Sequence, residues 1–126
     1  MSDNHGTVCW SELMTRDYEA AKAFYAELCG WTYQDMEGMK GKYTIAQLDG
    51  KPVAGIGNSN AMNIPEEIPS HWMTYIEVSD IQAAADKVAS GGGTVMNGPF
   101  DVPSVGQIAI VRDPSGAVIG FVQSAG

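Results

Sequence analysis

The sequence predicts an α+β fold: two βαβββ modules forming a curved, mixed sheet around a central cleft, with helices on the outer face. Three observations point there. Two segments carry helical periodicity. Each follows one alternating segment and precedes three short β-like runs. The acidic residues at helix starts and turns repeat with them, Asp17 and Asp49 recurring as Asp80 and Asp113 at nearly the same offset. One such module buries its sheet on a single face, so two packed side by side are expected to share a concave one.

The first strand is "VCWSELMT", apolar and polar by turns. In "DYEAAKAFYAELCGW", Ala21, Phe24, Tyr25 and Leu28 fall at i, i+3, i+4 and i+7. That is one stripe of a helix, which Asp17 is placed to cap and Gly30 to end. "WTYQD", "KYTIAQL" and "PVAGIG" complete a first module over about 6–57. "NSNAMNIPEEIPS" reads as a connecting loop over about 58–70. A second module, about 71–124, opens with "WMTYIEVS". In "SDIQAAADKVASGGG", Ile81, Ala84, Ala85 and Val88 repeat the stripe, with Ser79 and Gln82 at capping-box spacing. Gly91 to Gly93 stop this helix, and "TVMN", "GQIAIVR" and "AVIGFV" close the module. All 126 residues are expected in one domain.

Composition excludes several partners. An apolar fraction of 44% with 17% charged residues is ordinary for a globular protein. Fifteen acidic against seven basic residues give a net charge of −8, which repels nucleic acid and anionic membrane, and no Lys/Arg cluster offsets it. The acid excess favours cationic ligands, and it equally serves solubility. No apolar run approaches the roughly 20 residues of a membrane span. "MSDNHG" has no signal-peptide pattern, so a cytoplasmic location is expected. Cys9 and Cys29, within apolar segments, are expected to be buried free thiols. His5 falls in a terminus expected to be disordered. The glycine triplet follows a helix rather than opening one, so it is no phosphate cradle.

The βαβββ order written twice, with "DYEAAKAFYAELCGW" and "RDPSGAVIGFV", resembles the vicinal oxygen chelate superfamily. That superfamily holds glyoxalase I, extradiol dioxygenases, fosfomycin-resistance enzymes and bleomycin-binding proteins. "WSEL" through "FYAELCGW", with "DPSGA", looks like its glyoxalase-like branch. The resemblance implies a homodimer, but the scaffold hosts unrelated chemistries. In metal-using members, ligands come from the first and last strand of each module. Carried onto this sequence, those positions hold Trp10, Met73, Gly55 and Gly120. An indole offers only an N–H donor, a thioether suits soft metals, and glycine has no side chain. No metal and no cofactor are therefore expected.

Histidine is the commonest metal ligand, so His71 at the front of "HWMTYIEV" raises the question again. Strand parity places it on the face of Met73, but only Glu12 and Glu77 could join it. It reads as a polar residue at the loop-to-strand junction, with a displaced metal site as the alternative. The same alternation points Trp10, Glu12 and Met14 one way and Cys9, Ser11 and Leu13 the other, and the family resemblance implies that the Trp10 set faces the cleft. Met73, Tyr75 and Glu77 face the cleft of the second module, while Trp72, Thr74, Ile76 and Val78 face its helix. Tyr43, Ile45 and Gln47 are expected to form the matching row of the first module, with Gln107, Ala109 and Val111 in the second.

A cleft lined by Trp10, Tyr43, Met73 and Tyr75, with polar tips from Glu12 and Gln47, suits a small molecule. The same side chains could simply fill space that a metal and substrate occupy elsewhere. Glu12 is a carboxylate in an apolar strand, and desolvation would make it a candidate acid–base group. A structural, hydrogen-bonded carboxylate is its other reading. Glu77, near its strand end, is expected to be solvated. "MEGMKG" and "GPFDVPSVG" are candidate lids, with Phe100 at the tip of the second. The expected function is metal-free binding of a small organic molecule in this aromatic cleft. The alternative is a metal-independent or displaced-metal lyase, isomerase or oxygenase-type enzyme using Glu12 or His71.

Overall fold

A computed structural model describes residues 4–102 and 105–125. In chain order these form β1 (Val8–Thr15), α1 (Tyr18–Cys29), β2 (Thr32–Asp35), β3 (Tyr43–Leu48) and β4 (Lys51–Asn58). Then follow β5 (His71–Glu77), α2 (Ile81–Val88), β6 (Thr94–Val102), β7 (Gly106–Arg112) and β8 (Val118–Ser124). Among the described residues, eight strands and two helices make the fold α+β. It divides into two compact units, one spanning Trp10–Met73 and the other joining the residues up to Cys9 with those from Thr74 onward. Strand order is β2-β3-β4-β1 in the first and β6-β7-β8-β5 in the second. In each the last pair runs parallel and the others antiparallel.

In the Trp10–Met73 unit, the Asp17 carboxylate accepts from the Ala20 N–H at 3.1 Å, satisfying a donor at the start of α1. Gly30, at φ 75°, ends the helix in the left-handed conformation that glycine adopts without penalty. The buried stripe differs from the expected one. Tyr18, Ala21 and Tyr25 pack against Leu13 and Ile56, with Trp31 and Tyr33 alongside. Phe24 and Leu28 are exposed. Apolar residues cover more than half of α1, so their spacing admits two stripes, and Tyr18 on the sheet decides between them. Cys9 and Cys29 are also exposed, not buried.

The other unit buries Val78, Ile81, Ala109 and Val111, with Ala84, Val88 and Phe121 packed against them. Ala109 and Val111 therefore face α2, and the expected Gln107–Ala109–Val111 row on the opposite face is corrected. "IAIV", residues 108–111, is apolar throughout, so β7 shows no alternation from which parity can be read. Asp80, not Ser79, caps α2, accepting from Ala83 N–H at 3.0 Å. Gln82 bonds Asp86 instead of closing a capping box. The Ser79 N–H donates to the His5 ring at 2.9 Å. Together with Gly6 N–H to Glu77 carbonyl at 2.7 Å, this pins the segment expected to be disordered. β6 runs on to Val102, so Phe100 sits in a strand opposite Ile108 rather than at a loop tip. Pro103 and Ser104 of the second candidate lid lie outside the described residues. Asp113 closes the β7–β8 turn, and the Ser115 hydroxyl, then the Ala117 N–H, hold its carboxyl below the ordinary range.

A contact without sequence signal ties the connector to β1. The Arg16 guanidinium donates to the carbonyls of Ile68 at 3.0 Å and Ile64 at 3.1 Å, to the Asn60 side chain at 2.9 Å, and to the Pro65 carbonyl. Its own N–H donates to Ser70 Oγ at 2.8 Å, and Asn60 Nδ2 donates back to its carbonyl at 3.0 Å. The planar fork satisfies several loop carbonyls at once, which an ammonium cannot reproduce. Arg16→Lys is expected to cost about 1–3 kcal/mol in urea unfolding and to speed limited proteolysis between residues 60 and 70. Unchanged cleavage would show that the loop does not depend on the fork.

Tyr18 carries a second test. Burial first, then the charges of Asp35 and Glu19, push its phenol from 10.0 up to about 12. The nearby Thr44 hydroxyl opposes the rise, yet neither oxygen has a partner in hydrogen-bonding geometry. The folded state thus favours the neutral phenol, so its contribution is whole below pH 10 and lost as pH rises through about 12. Urea midpoints of Tyr18→Phe are expected to fall less steeply than wild type across that window. Parallel curves would contradict the assignment.

Candidate functional site

Residues paired across neighbouring strands project to one face, and the register of β1, β3 and β4 assembles a distinct one. Glu12 and Ile45 both pair with Gly55, and Met14 and Tyr43 both pair with Gly57. This face lies opposite the one where Leu13 and Ile56 meet α1. On it the Trp10 indole N–H donates to the Tyr43 hydroxyl at 3.3 Å. Tyr43 is buried and its ring lies on Gly55: a Cβ added there would meet the hydroxyl oxygen at 1.7 Å and the adjoining ring carbon at 2.5 Å. Gly57 makes the same room for the Met14 sulfur.

The second unit repeats the device. Tyr75 on β5 is buried and pairs with Gly120 on β8, where an added Cβ would meet two ring carbons at 2.4 Å. Gly55 and Gly120 are the positions to which the resemblance carries last-strand metal ligands. At each, a tyrosine ring already fills the space that a ligating side chain would enter. The residues present do not fit a divalent ion at these positions. Among the described residues no three His, Cys, Asp or Glu side chains gather to hold one.

The remaining candidates are distributed as follows. Glu12, half-buried, lies on the Trp10–Tyr43 face beside Gly55. Gln47 lies toward the β2 edge past a register shift, its amide donating to Gln34 at 3.0 Å. Met73 is buried. His71 donates from Nδ1 to the Pro69 carbonyl at 2.9 Å, which assigns that nitrogen a structural partner. Phe100 belongs to β6, whose register is irregular on both sides of Asn97.

Glu77 departs most from expectation. It is buried, not solvated: Oε1 accepts from Ser124 Oγ at 2.5 Å and Oε2 from Ser124 N–H at 3.0 Å. The carboxylate thus clamps the end of β8 to β5 and is spent on structure. Only the parallel β5–β8 register brings Ser124 near it, so no local signal could have revealed the pair. Cys9 is exposed as a residue, but its thiol turns toward the Tyr75 carbonyl at 3.7 Å. Loss of solvent there, then the Glu77 charge, push its pKa up, which disfavours the nucleophilic thiolate.

Residues 7–121 match the Glyoxalase/Bleomycin resistance protein/Dioxygenase superfamily. Among curated proteins, the candidate glyoxylase CFP32 of Mycobacterium bovis is 43% identical over 121 residues, covering 94% of this chain and 46% of that protein. The anthracycline biosynthesis protein DauV of a Streptomyces species is 32% identical over 123 residues, covering 89% of this chain and 45% of its own length. The chain spans about half the length of the curated relatives it matches. Among solved structures, methylmalonyl-CoA epimerase of Mycobacterium tuberculosis superposes with a TM-score of 0.66 at 14% identity, covering 100% of this chain and 93% of its own. A superfamily member from Vibrio splendidus superposes with a TM-score of 0.60 at 16% identity, covering 94% and 100%. At such identities these two show the fold alone.

The tyrosine-on-glycine packing makes a graded prediction. Gly120→Ala must displace the body of the Tyr75 ring and is expected near the top of the roughly 1–3 kcal/mol cost of overpacking. Gly55→Ala meets the far end of Tyr43 and is expected nearer the bottom, with the Trp10 hydrogen bond broken and its emission shifted. The reverse order in urea unfolding would refute the packing.

Proposed function

The chain belongs to the Glyoxalase/Bleomycin resistance protein/Dioxygenase superfamily, and from that premise we propose that it binds a small organic molecule at the Trp10–Tyr43 face without a divalent metal at the family's strand positions. One observation carries the reading: the Tyr43 ring occupies Gly55, and Trp10 hydrogen-bonds its hydroxyl. An indole and a phenol held in fixed geometry offer apolar area at low entropic cost, with a polar tip to orient a guest. Trp10, Tyr43 and Glu12 are the contacts we assign, with Met73 as an apolar wall. Glu12 and the net charge of −8 favour a ligand that is neutral or cationic. The name of the Streptomyces relative, an anthracycline biosynthesis protein, supports an aromatic one. We further assign a cytoplasmic homodimer with no nucleic-acid partner; among the described residues no helix is long and apolar enough to cross a membrane.

The name of CFP32 as a candidate glyoxylase favours a second reading, in which the same face is catalytic without metal. Glu12 is then its acid–base group, since it shares the Trp10 face while His71 gives Nδ1 to Pro69.

With Trp31 and Trp72 changed to Phe, Trp10 becomes the single reporter of the three tryptophans. Saturable quenching by members of an aromatic and aromatic-cation panel is expected, unaffected by EDTA. Tyr43→Phe is expected to weaken it about three- to tenfold. Quenching by no compound, or binding that chelation abolishes, would overturn the reading. Turnover that survives in Glu12→Gln would remove the second.

A further inference from the structure

The connector between β4 and β5 returns a methionine to the Trp10–Tyr43 face. Its first turn is built on Asn58, whose carbonyl accepts from the Met62 N–H at 3.0 Å. The Asn58 Oδ1 accepts from the N–H groups of Asn60 at 3.2 Å and Ala61 at 3.4 Å. Strand ends hold this turn in place. Asn58 donates from its N–H to the Lys42 carbonyl at 2.8 Å and from Nδ2 to the Gly41 carbonyl at 3.0 Å. The Ser59 N–H donates to the Thr15 carbonyl at 2.9 Å. From this fixed backbone the half-buried Met62 reaches Gly57: a Cβ added there would meet Met14 Sδ at 2.6 Å and Met62 Sδ at 3.4 Å. Two thioethers from distant segments thus converge on the face that carries Tyr43 and Glu12. The repeat supplies an internal comparison. Register equates Met14 and Gly57 with Glu77 and Val122 of the other unit. There Val122 fills its own place and the carboxylate is spent on Ser124. In the Trp10–Met73 unit the absent side chain of Gly57 makes room for sulfur instead.

We propose that Met62, together with the more deeply buried Met14, determines specificity at the Gly57 end of the ligand face by selecting a guest with an aromatic edge there. The inference rests on the ligand reading above and adds the class of molecule. Aromatic rings have positive edges and negative faces. A thioether sulfur is polarisable and a weak acceptor, and it settles at such an edge. A saturated guest of the same outline offers no such edge, so sulfur discriminates where a leucine of similar bulk would not. The polar groups lie at the other end of the face. There the Trp10 N–H meets the Tyr43 hydroxyl at 3.3 Å, and that hydroxyl lies over Gly55. Gly55 and Gly57 stand about 7 Å apart along β4. A guest engaging both ends carries a hydroxyl on one side and a ring edge on the opposite one. That separation suits two fused rings better than one, so the class is a fused-ring phenol.

The probes are β-naphthol and its fully hydrogenated counterpart, β-decalol, titrated calorimetrically against the whole chain. Wild type is expected to bind β-naphthol the more tightly. Met62→Leu conserves volume and is expected to keep the urea midpoint near wild type. It should weaken β-naphthol about two- to tenfold, as loss of a sulfur–aromatic contact does, and leave β-decalol unchanged. With isotope-labelled methionine methyls, the Met14 and Met62 resonances, assigned from their Leu variants, should shift under the ring current of β-naphthol. Equal loss of both probes in Met62→Leu would mean that shape alone matters there, and would overturn the inference. An unchanged β-naphthol affinity in that variant, unmoved methyls, or no binding of β-naphthol by wild type would overturn it too. In each of these cases saturable quenching of Trp10 by another aromatic compound leaves the binding reading standing, whereas a panel that quenches nothing removes that reading itself.

Discussion

A glycine backbone pressed against a tyrosine ring is the constraint on which the chemistry of each unit depends. Gly55 and Gly120 let Tyr43 and Tyr75 lie on the neighbouring strand at distances no Cβ would tolerate. Two consequences follow from one contact. The strand position cannot also project a carboxylate or imidazole, because the ring already fills that volume. The ring in turn is buried and fixed, so in the Trp10–Met73 unit its hydroxyl is delivered to the indole of Trp10. In the function proposed above, that position offers aromatic area and a hydrogen-bonding tip in place of a ligand to a metal.

Long-range polar ties hold the strands that carry this arrangement. Arg16 follows β1 directly and spends its guanidinium on the carbonyls of the connector, fixing a loop that otherwise has no sheet or helix to satisfy its backbone. Glu77 does the corresponding work in the other unit, where both carboxylate oxygens are matched by Ser124. Glu77 is a buried charge whose partners satisfy it in place of water, which is the condition for a charge to leave solvent at all. Neither Arg16 nor Glu77 is available for reaction, and the residues that carry the proposed function are the ones these ties leave alone.

Several readings were legible in the chain and others were not, for reasons that differ residue by residue. Asp17 and Gly30 announce the ends of α1 because capping is local chemistry, complete within four residues. The alternation of β1 separates Leu13 from Trp10 and Glu12 because apolar and polar residues take turns there. In β7 they do not, and the inward side of Ala109 and Val111 was decided by packing on α2. Helix α1 had apolar residues to spare, so only the contact of Tyr18 with Leu13 and Ile56 settled which stripe was buried. Glu77 looked like a strand-end carboxylate, and only its pairing with a serine 47 positions away made it a clamp.

By itself the sequence determined the repeated order of strands and helices, the caps of α1 and the glycines at the inner strand positions. All of these are set by periodicity and by backbone conformation within a few residues. Tertiary structure alone decided what fills the space over those glycines, which face of α1 remains outward, and which charged groups are consumed by structure. Such outcomes are contests of volume and hydrogen-bonding partners between segments far apart in the chain. A pattern of residues cannot state the result of a contest until the segments have met.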